Sequence, residues 1–210
     1  MRGVAFAIWM AFCQRALQQT GLEAEQRSHI LFTLADVAQS AGDMDKALNT
    51  AEAKHQLDTQ RGAEREATIA KGQIADILQA RGQLDEALRI RQQEELPVYE
   101  RLGEVRSIVI TKGKIADILQ ARGQLDEALR IRTEDQLPVY ERLGEVSSIA
   151  ITKGKIADIL QARGQLDEAL RILSDDLIPV FERLGEVRSI AITKGKIADI
   201  LFLNDKKKSP

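Results

Sequence analysis

The chain has 210 residues, 44% of them hydrophobic but only 4% aromatic, so it can build a continuous core from Leu, Ile, Val and Ala but not an aromatic-rich one. Lys and Arg total 30 against 32 Asp and Glu, and the net charge of −2 excludes a whole-molecule field that would draw in nucleic acid or an anionic membrane. The single cysteine, Cys13, excludes an intrachain disulfide and suits a reducing, cytoplasmic setting, and no stretch approaches the ~20 apolar residues of a membrane-spanning helix.

In chain order, the first element is an apolar run at Val4–Cys13 behind Met1-Arg2, the outline of a short secretory signal. The register of the rest gives it a better account. Gly21, Gly62, Gly103, Gly144 and Gly185 stand 41 residues apart, and Gly42, Gly82, Gly123 and Gly164 fall between them. Each interval is one helix long and ends in a glycine suited to a left-handed C-terminal cap, with Arg81, Arg122 and Arg163 beside the negative helix end. Ala5, Ile8, Trp9, Phe12, Ala16 and Leu17 then mark residues 1–20 as a helix of the second type, B, without a partner before it.

Four helix pairs A/B follow, over 22–61, 63–102, 104–143 and 145–184. The string GKIADILQARGQLDEALRI fills Gly113–Ile131 and again Gly154–Ile172, with a near copy at Gly72–Ile90 and a beginning at Gly195–Leu201. In the third pair Val105, Ile108, Val109, Ile115, Ala116 and Leu119 trace one face of helix A, and Leu125, Ala128, Leu129, Ile131 and Arg132, then Leu137, Val139 and Tyr140, make up helix B. Asp126 and Glu127 favour the positive end of helix B. Pro97, Pro138 and Pro179 recur late in helix B, where two outcomes stay open: a bent or broken helix, or a short separate helix started by the proline. Residues 186–203 form a last helix A, and 206–210 a basic disordered tail. The whole of 1–205 reads as one array in which each unit buries its apolar face against its neighbours.

Gly82-Gln83-Leu84-Asp85-Glu86-Ala87-Leu88 resembles the turn and second-helix start of a tetratricopeptide repeat (TPR). It recurs at Gly123–Leu129 and Gly164–Leu170, and more weakly at Gly42–Leu48. The family's small residue in helix A falls on Ala35, Ala75, Ala116 and Ala157, and its helix B alanine on Ala47, Ala87, Ala128 and Ala169. The resemblance implies an all-α, right-handed superhelical solenoid of antiparallel helix pairs that binds proteins without catalysis. The departures are a 41-residue unit in place of about 34, as in the long-helix arrays of kinesin light chains and bacterial signal-transduction ATPases, and Lys71, Lys112 or Lys153 at the early tryptophan position.

In such arrays the A helices line the concave face. The expected partner-binding residues are Asp76, Gln79, Ile110, Asp117, Gln120, Ile151, Asp158 and Gln161. Stacked aspartates would form an acidic line favouring a basic or amide-rich protein or peptide. Against this stands an ordinary solvated surface, with Lys114 and Asp117, or Lys155 and Asp158, paired locally three residues apart. Gly72, Gly113, Gly154 and Gly195 sit inside helix A at a cost of about 1 kcal/mol each relative to Ala. The favoured account is close approach of neighbouring A helices, the other being room for a ligand backbone. The carboxylate clamp of chaperone-tail-binding relatives is absent, because its positions carry Gly113, Asp117 and Ala121.

Two histidines on different helices, one cysteine and no phosphate loop or nucleophile elbow give no expected catalytic residue, metal site or cofactor. RNA reading by helical repeats needs varied side chains and a basic face, and neither is present. The open ends suggest an alternative role. Trp9 and Phe12 on the first helix, and Ile197, Leu201 and Phe202 on the last, would let copies join into a self-assembling homo-oligomer. Two other accounts stay open: the chain is a piece of a larger array, or Phe202 and Trp9 fold over the exposed ends.

Overall fold

The structure is a computed structural model that describes residues 2–208, with side chains described over 5–205. Among the described residues there are ten helices and no strand. The chain separates into two compact units, Met1–Thr111 and Lys112–Pro210.

The first unit holds α1 (Arg2–Leu17), α2 (Ala24–Ser40), α3 (Met44–Gln60), α4 (Glu64–Ala80), α5 (84–102) and the start of α6 (Val105–Ala121). Each of α1 to α4 packs on the next. Asp43 caps α3 by accepting from the Lys46 amide at 3.1 Å. The helices meet through their smallest residues: Ala35, Ala47, Ala75 and Ala87 are wholly buried, which is what allows close backbone approach. The expected arginine at the helix end has a further partner, since Arg81 pairs with Asp45 on α3 at 2.9 Å.

The second unit holds the rest of α6, α7 (125–143), α8 (Val146–Ala162), α9 (166–184) and α10 (Val187–Lys208). Here α8 packs on both α7 and α9, and α9 on α10. Its core gathers Ile156, Ala157, Leu160 and Ala169 with Leu173, Leu177, Phe181 and Ile200. α10 continues to Lys208, through the start of the expected tail, while Ser209 and Pro210 lie outside the described residues.

The proline question has an answer that neither expectation contained. α5, α7 and α9 each run unbroken through a widened π segment: Ile90–Glu95, Ile131–Gln136 and Ile172–Leu177. The amide of Leu96 reaches back five residues to the Arg91 carbonyl, as Leu137 does to Arg132 and Ile178 to Leu173. Proline follows at once. It has no amide to donate, and in a plain α-helix its ring would meet the carbonyl four residues back. The wider turn takes up both problems without ending the helix. The helix then stops where expected: Gly103 adopts φ 68°, and the Glu104 amide closes the cap on the Tyr99 carbonyl at 3.0 Å.

Candidate functional site

The nearest side-chain atoms to Gly72, Gly113 and Gly154 come from helix B of their own repeat. A Cβ on Gly72 would lie 2.8 Å from Glu95 Oε1 and 3.0 Å from Arg91 Nη1. One on Gly113 would collide with the Gln136 amide and lie 3.1 Å from Arg132 Nη1. Glycine thus opens a window through which side chains of the π segment reach the outer face of helix A. This corrects the expected packing of A helices at these positions.

What fills each window differs. In the first unit, buried Arg91 donates to Glu95 Oε2 at 2.5 Å and pairs with Asp76 Oδ1 at 2.7 Å, while Thr111 donates to Glu95 Oε1 at 3.1 Å. Burial raises the Glu95 pKa, and the Arg91 guanidinium offsets only part of this. Burial likewise pushes Tyr99 up to about 12, with the Glu95 charge adding to it. One repeat earlier helix A carries Leu31 in place of the glycine and has no such window; there the wholly buried Asp58 takes Lys54 at 2.6 Å, Ser28 at 2.9 Å and Arg61 at 2.8 Å. Burial works against this carboxylate, but the three donors outweigh it and hold its pKa below the ordinary value. Beside Lys54 opens a groove of about 720 Å³ lined by Leu22, His29, Phe32, Glu66 and Ile69.

In the second unit, buried Arg132 donates to Gln136 Oε1 at 2.6 Å and to Asp117 Oδ1 at 2.7 Å, where Lys155 joins at 3.1 Å. One repeat on, the floor is apolar. Leu173 and Leu177 replace the arginine and glutamine, Phe181 replaces tyrosine, and a groove of about 200 Å³ opens over Gly154 between α8 and α10.

The expected aspartates therefore do not form a bare acidic line. Asp76 pairs with Arg91, Asp117 with Arg132 and Lys155, and Asp158 with Lys196 at 2.5 Å. Lys155 reaches Asp117 of the preceding repeat, 38 residues back, in place of the expected local Asp158, and Lys196 reaches back to Asp158 in the same way. Gln79, Gln120 and Gln161 are half-buried, while Ile110 and Ile151 are 46% and 63% exposed. At the ends, Trp9, Phe12, Leu201 and Phe202 are exposed. Trp9 and Phe12 form an edge-to-face pair with centroids 6.1 Å apart. Ile197, expected with them, is half-buried and packs against the core of the second unit that includes the buried Ile200.

Arg91, Glu95, Arg132, Gln136, Leu173 and Leu177 were not among the expected site residues. Two signals marked them. The third and fourth repeats change from polar to apolar on helix B at 132/173, 136/177 and 140/181, and the glycine interval spanning α5 is one residue longer than that spanning α3. Among the described residues there is no cluster of three or more His, Cys, Asp or Glu placed to hold a metal, and no helix long and apolar enough to cross a membrane.

Antiparallel helix pairs with buried alanines at the crossing points and glycine caps define a helical-repeat protein. Its fold is an all-α, TPR-like solenoid, and a tetratricopeptide repeat model matches one short stretch of the sequence, residues 157–174. Among solved structures, the chain is similar to a Podospora anserina protein of nearly identical TPR-like repeats classed with kinesin light chains. The TM-score is 0.70 at 21% identity, over 90% of this chain and 91% of that one. It is also similar to aspartyl phosphate phosphatase F from Bacillus subtilis, with TM-score 0.74 and 13% identity over 88% of this chain and 51% of that one. A Rap protein complexed with Competence and Sporulation Factor gives TM-score 0.66 and 16% identity over 98% and 71%. At these identities the likeness is one of fold. No curated protein matches the sequence.

Proposed function

We propose that the chain is a non-catalytic protein-interaction scaffold that binds a protein or peptide through the expected concave face of its A helices. The observation that carries this reading is in the second unit, where Ile151 and Ile192 stand 63% and 52% exposed beside an apolar-floored groove. Exposed apolar side chains gathered at a concavity, and not scattered singly, are characteristic of recognition surfaces. The TPR-like fold and the structural neighbour solved with Competence and Sporulation Factor bound are consistent with it. With the aspartates already ion-paired, the partner segment has no reason to be strongly basic. A peptide display selection on the immobilised chain should yield binders whose affinity falls about tenfold or more when Ile151 and Ile192 both become aspartate. No binders, or binders indifferent to that change, would remove the reading.

A second reading is self-association, favoured by the exposure of Trp9, Phe12, Leu201 and Phe202. Sedimentation over a concentration series should then show a homo-oligomer that Leu201→Glu with Phe202→Glu dissolves. A monomer at every concentration ends this alternative.

A further inference from the structure

The third and fourth repeats are near copies whose helix B substitutions fall in part at the window in helix A. In the third, the space over Gly113 is occupied by the Gln136 amide and the Arg132 guanidinium. In the fourth, the nearest atom to a Cβ on Gly154 would be Leu177 Cδ1 at 3.6 Å, and the space above it is open. The same backbone window is thus plugged by polar groups in one repeat and left as an apolar hollow in the next.

We propose that the hollow between α8 and α10 is a socket for one uncharged, apolar side chain of a partner segment, and that Leu173, Leu177 and Phe181 set this preference. The proposal rests on the interaction reading above and deepens it. Size limits the occupant, because about 200 Å³ is below the roughly 300–1,000 Å³ of drug-sized ligand sites. The floor is apolar, with Leu173 and Leu177 buried beneath it and Ile151 and Ile192 standing at its sides. Charge decides the rest. The ionised groups lining the socket are Lys155, Asp158 and Lys196, and each already has a counter-ion: Lys155 with Asp117, and Asp158 with Lys196. An arriving charge would have to break one of these pairs or lose its water without compensation. An apolar group gains contact with the floor and leaves the pairs intact.

The test uses the full chain with its Ile and Leu methyl groups labelled for nuclear magnetic resonance. The probes are N-acetyl-leucinamide and N-acetyl-phenylalaninamide, compared with N-acetyl-argininamide and the amide of N-acetyl-glutamate. The apolar probes should shift the methyls of Ile151, Leu173, Leu177 and Ile192 in a saturable way at millimolar concentration, and the charged probes should not. L173R/L177Q/F181Y installs the third repeat's own floor opposite Asp158, so it has a native precedent for folding, and it should lose the response. R132L/Q136L/Y140F should gain a second responding set at positions 132 and 136. Equal response to charged probes, no response to apolar ones, or an undiminished response in a folded L173R/L177Q/F181Y overturns the proposal. Should that variant fail to fold, the comparison of apolar with charged probes on the unaltered chain decides alone. The scaffold reading fails separately, when peptide selection yields nothing although the methyl response is present.

Discussion

α3 and α5 are both helix B of a repeat in the first unit, yet they are built differently. Gly42 and Gly62 stand 20 residues apart, Gly82 and Gly103 stand 21 apart, and only the second interval contains a proline. α3 is regular from Met44 to Gln60, whereas α5 holds its extra residue as a π segment. A single inserted residue is what separates a π turn from an α turn. The insertion also changes which side chains helix B turns toward helix A. Counting back from the capping glycine, Lys54 and Asp58 of α3 occupy the places of Glu95 and Tyr99 in α5. The electrostatics then diverge. Asp58 collects three donors and has a lowered pKa, while Glu95 shares its one cation with Asp76 and has a raised one.

The strongest way to break this contrast is Asp58→Ala. It leaves the Lys54 ammonium, 4% exposed, without its carboxylate, and removal of one partner from a buried pair costs about 3–5 kcal/mol. Urea unfolding should show a loss of that size. A loss below about 1 kcal/mol would mean the pair behaves as if exposed. Because the folded pKa of Asp58 is lowered, its contribution is present above the unfolded value of ~3.9 and fades as pH falls through the folded value. The mutant and the parent should therefore converge in acid.

Next in size is removal of the inserted residue. Deleting the exposed Gln92 restores the 20-residue interval of α3 and forces Pro97 into a regular helix, at a cost of about 3 kcal/mol or more. Adding Pro97→Ala to the deletion should recover most of the loss, while Pro97→Ala alone should recover nothing. A purely additive cycle would show that the proline and the extra residue are independent.

Smaller again is Glu95→Gln, which gives the second repeat the arginine–glutamine floor that the third already has. Glu95 has a raised folded pKa, so its contribution is complete below the unfolded value of ~4.3 and is lost as pH rises through the folded value. The substitution should be neutral in acid and stabilising at neutral pH by on the order of 1 kcal/mol. An unchanged stability difference across pH would assign Glu95 no electrostatic penalty.

Much of the architecture was legible in the sequence because its causes are local. Glycine spacing gave the helix ends, and three- and four-residue apolar spacing gave the faces. The alanines at 35, 47, 75, 87, 116, 128, 157 and 169 are buried where the family resemblance placed them. The site was less legible because its causes lie between helices. Asp117 reads as an exposed surface charge until Arg132 and Lys155 arrive from two other helices. The role of Gly113 is equally hidden, since nothing near it in sequence shows that Gln136 occupies the missing Cβ. Pro138 announced an irregularity, but a kink, a break and a π turn all satisfy a missing amide. Only the extra residue in the glycine interval distinguishes the last.

The mildest test uses the helix A glycines of the second unit, which share a sequence context and differ in what faces them. Glycine inside a helix is about 1 kcal/mol worse than alanine, so wherever space is free the substitution should stabilise. A Cβ on Gly195 meets nothing within 4 Å, and Gly195→Ala should raise stability by about that amount. On Gly154 the new methyl would make ordinary contact with Leu177, so the gain should persist while the socket narrows and the methyl response to N-acetyl-leucinamide weakens. At Gly113 the sign should reverse. The methyl must displace the Gln136 amide from Arg132 inside a buried site, and an orphaned buried donor costs about 1–3 kcal/mol, more than the helix gains. Introducing Gln136→Ala together with Gly113→Ala removes the obstacle and should bring the glycine effect back toward the value at Gly195. If Gly113→Ala proves as stabilising as Gly195→Ala, the Gln136 side chain moves aside without loss, and the difference between a plugged and an open window is one of occupancy and not of energy.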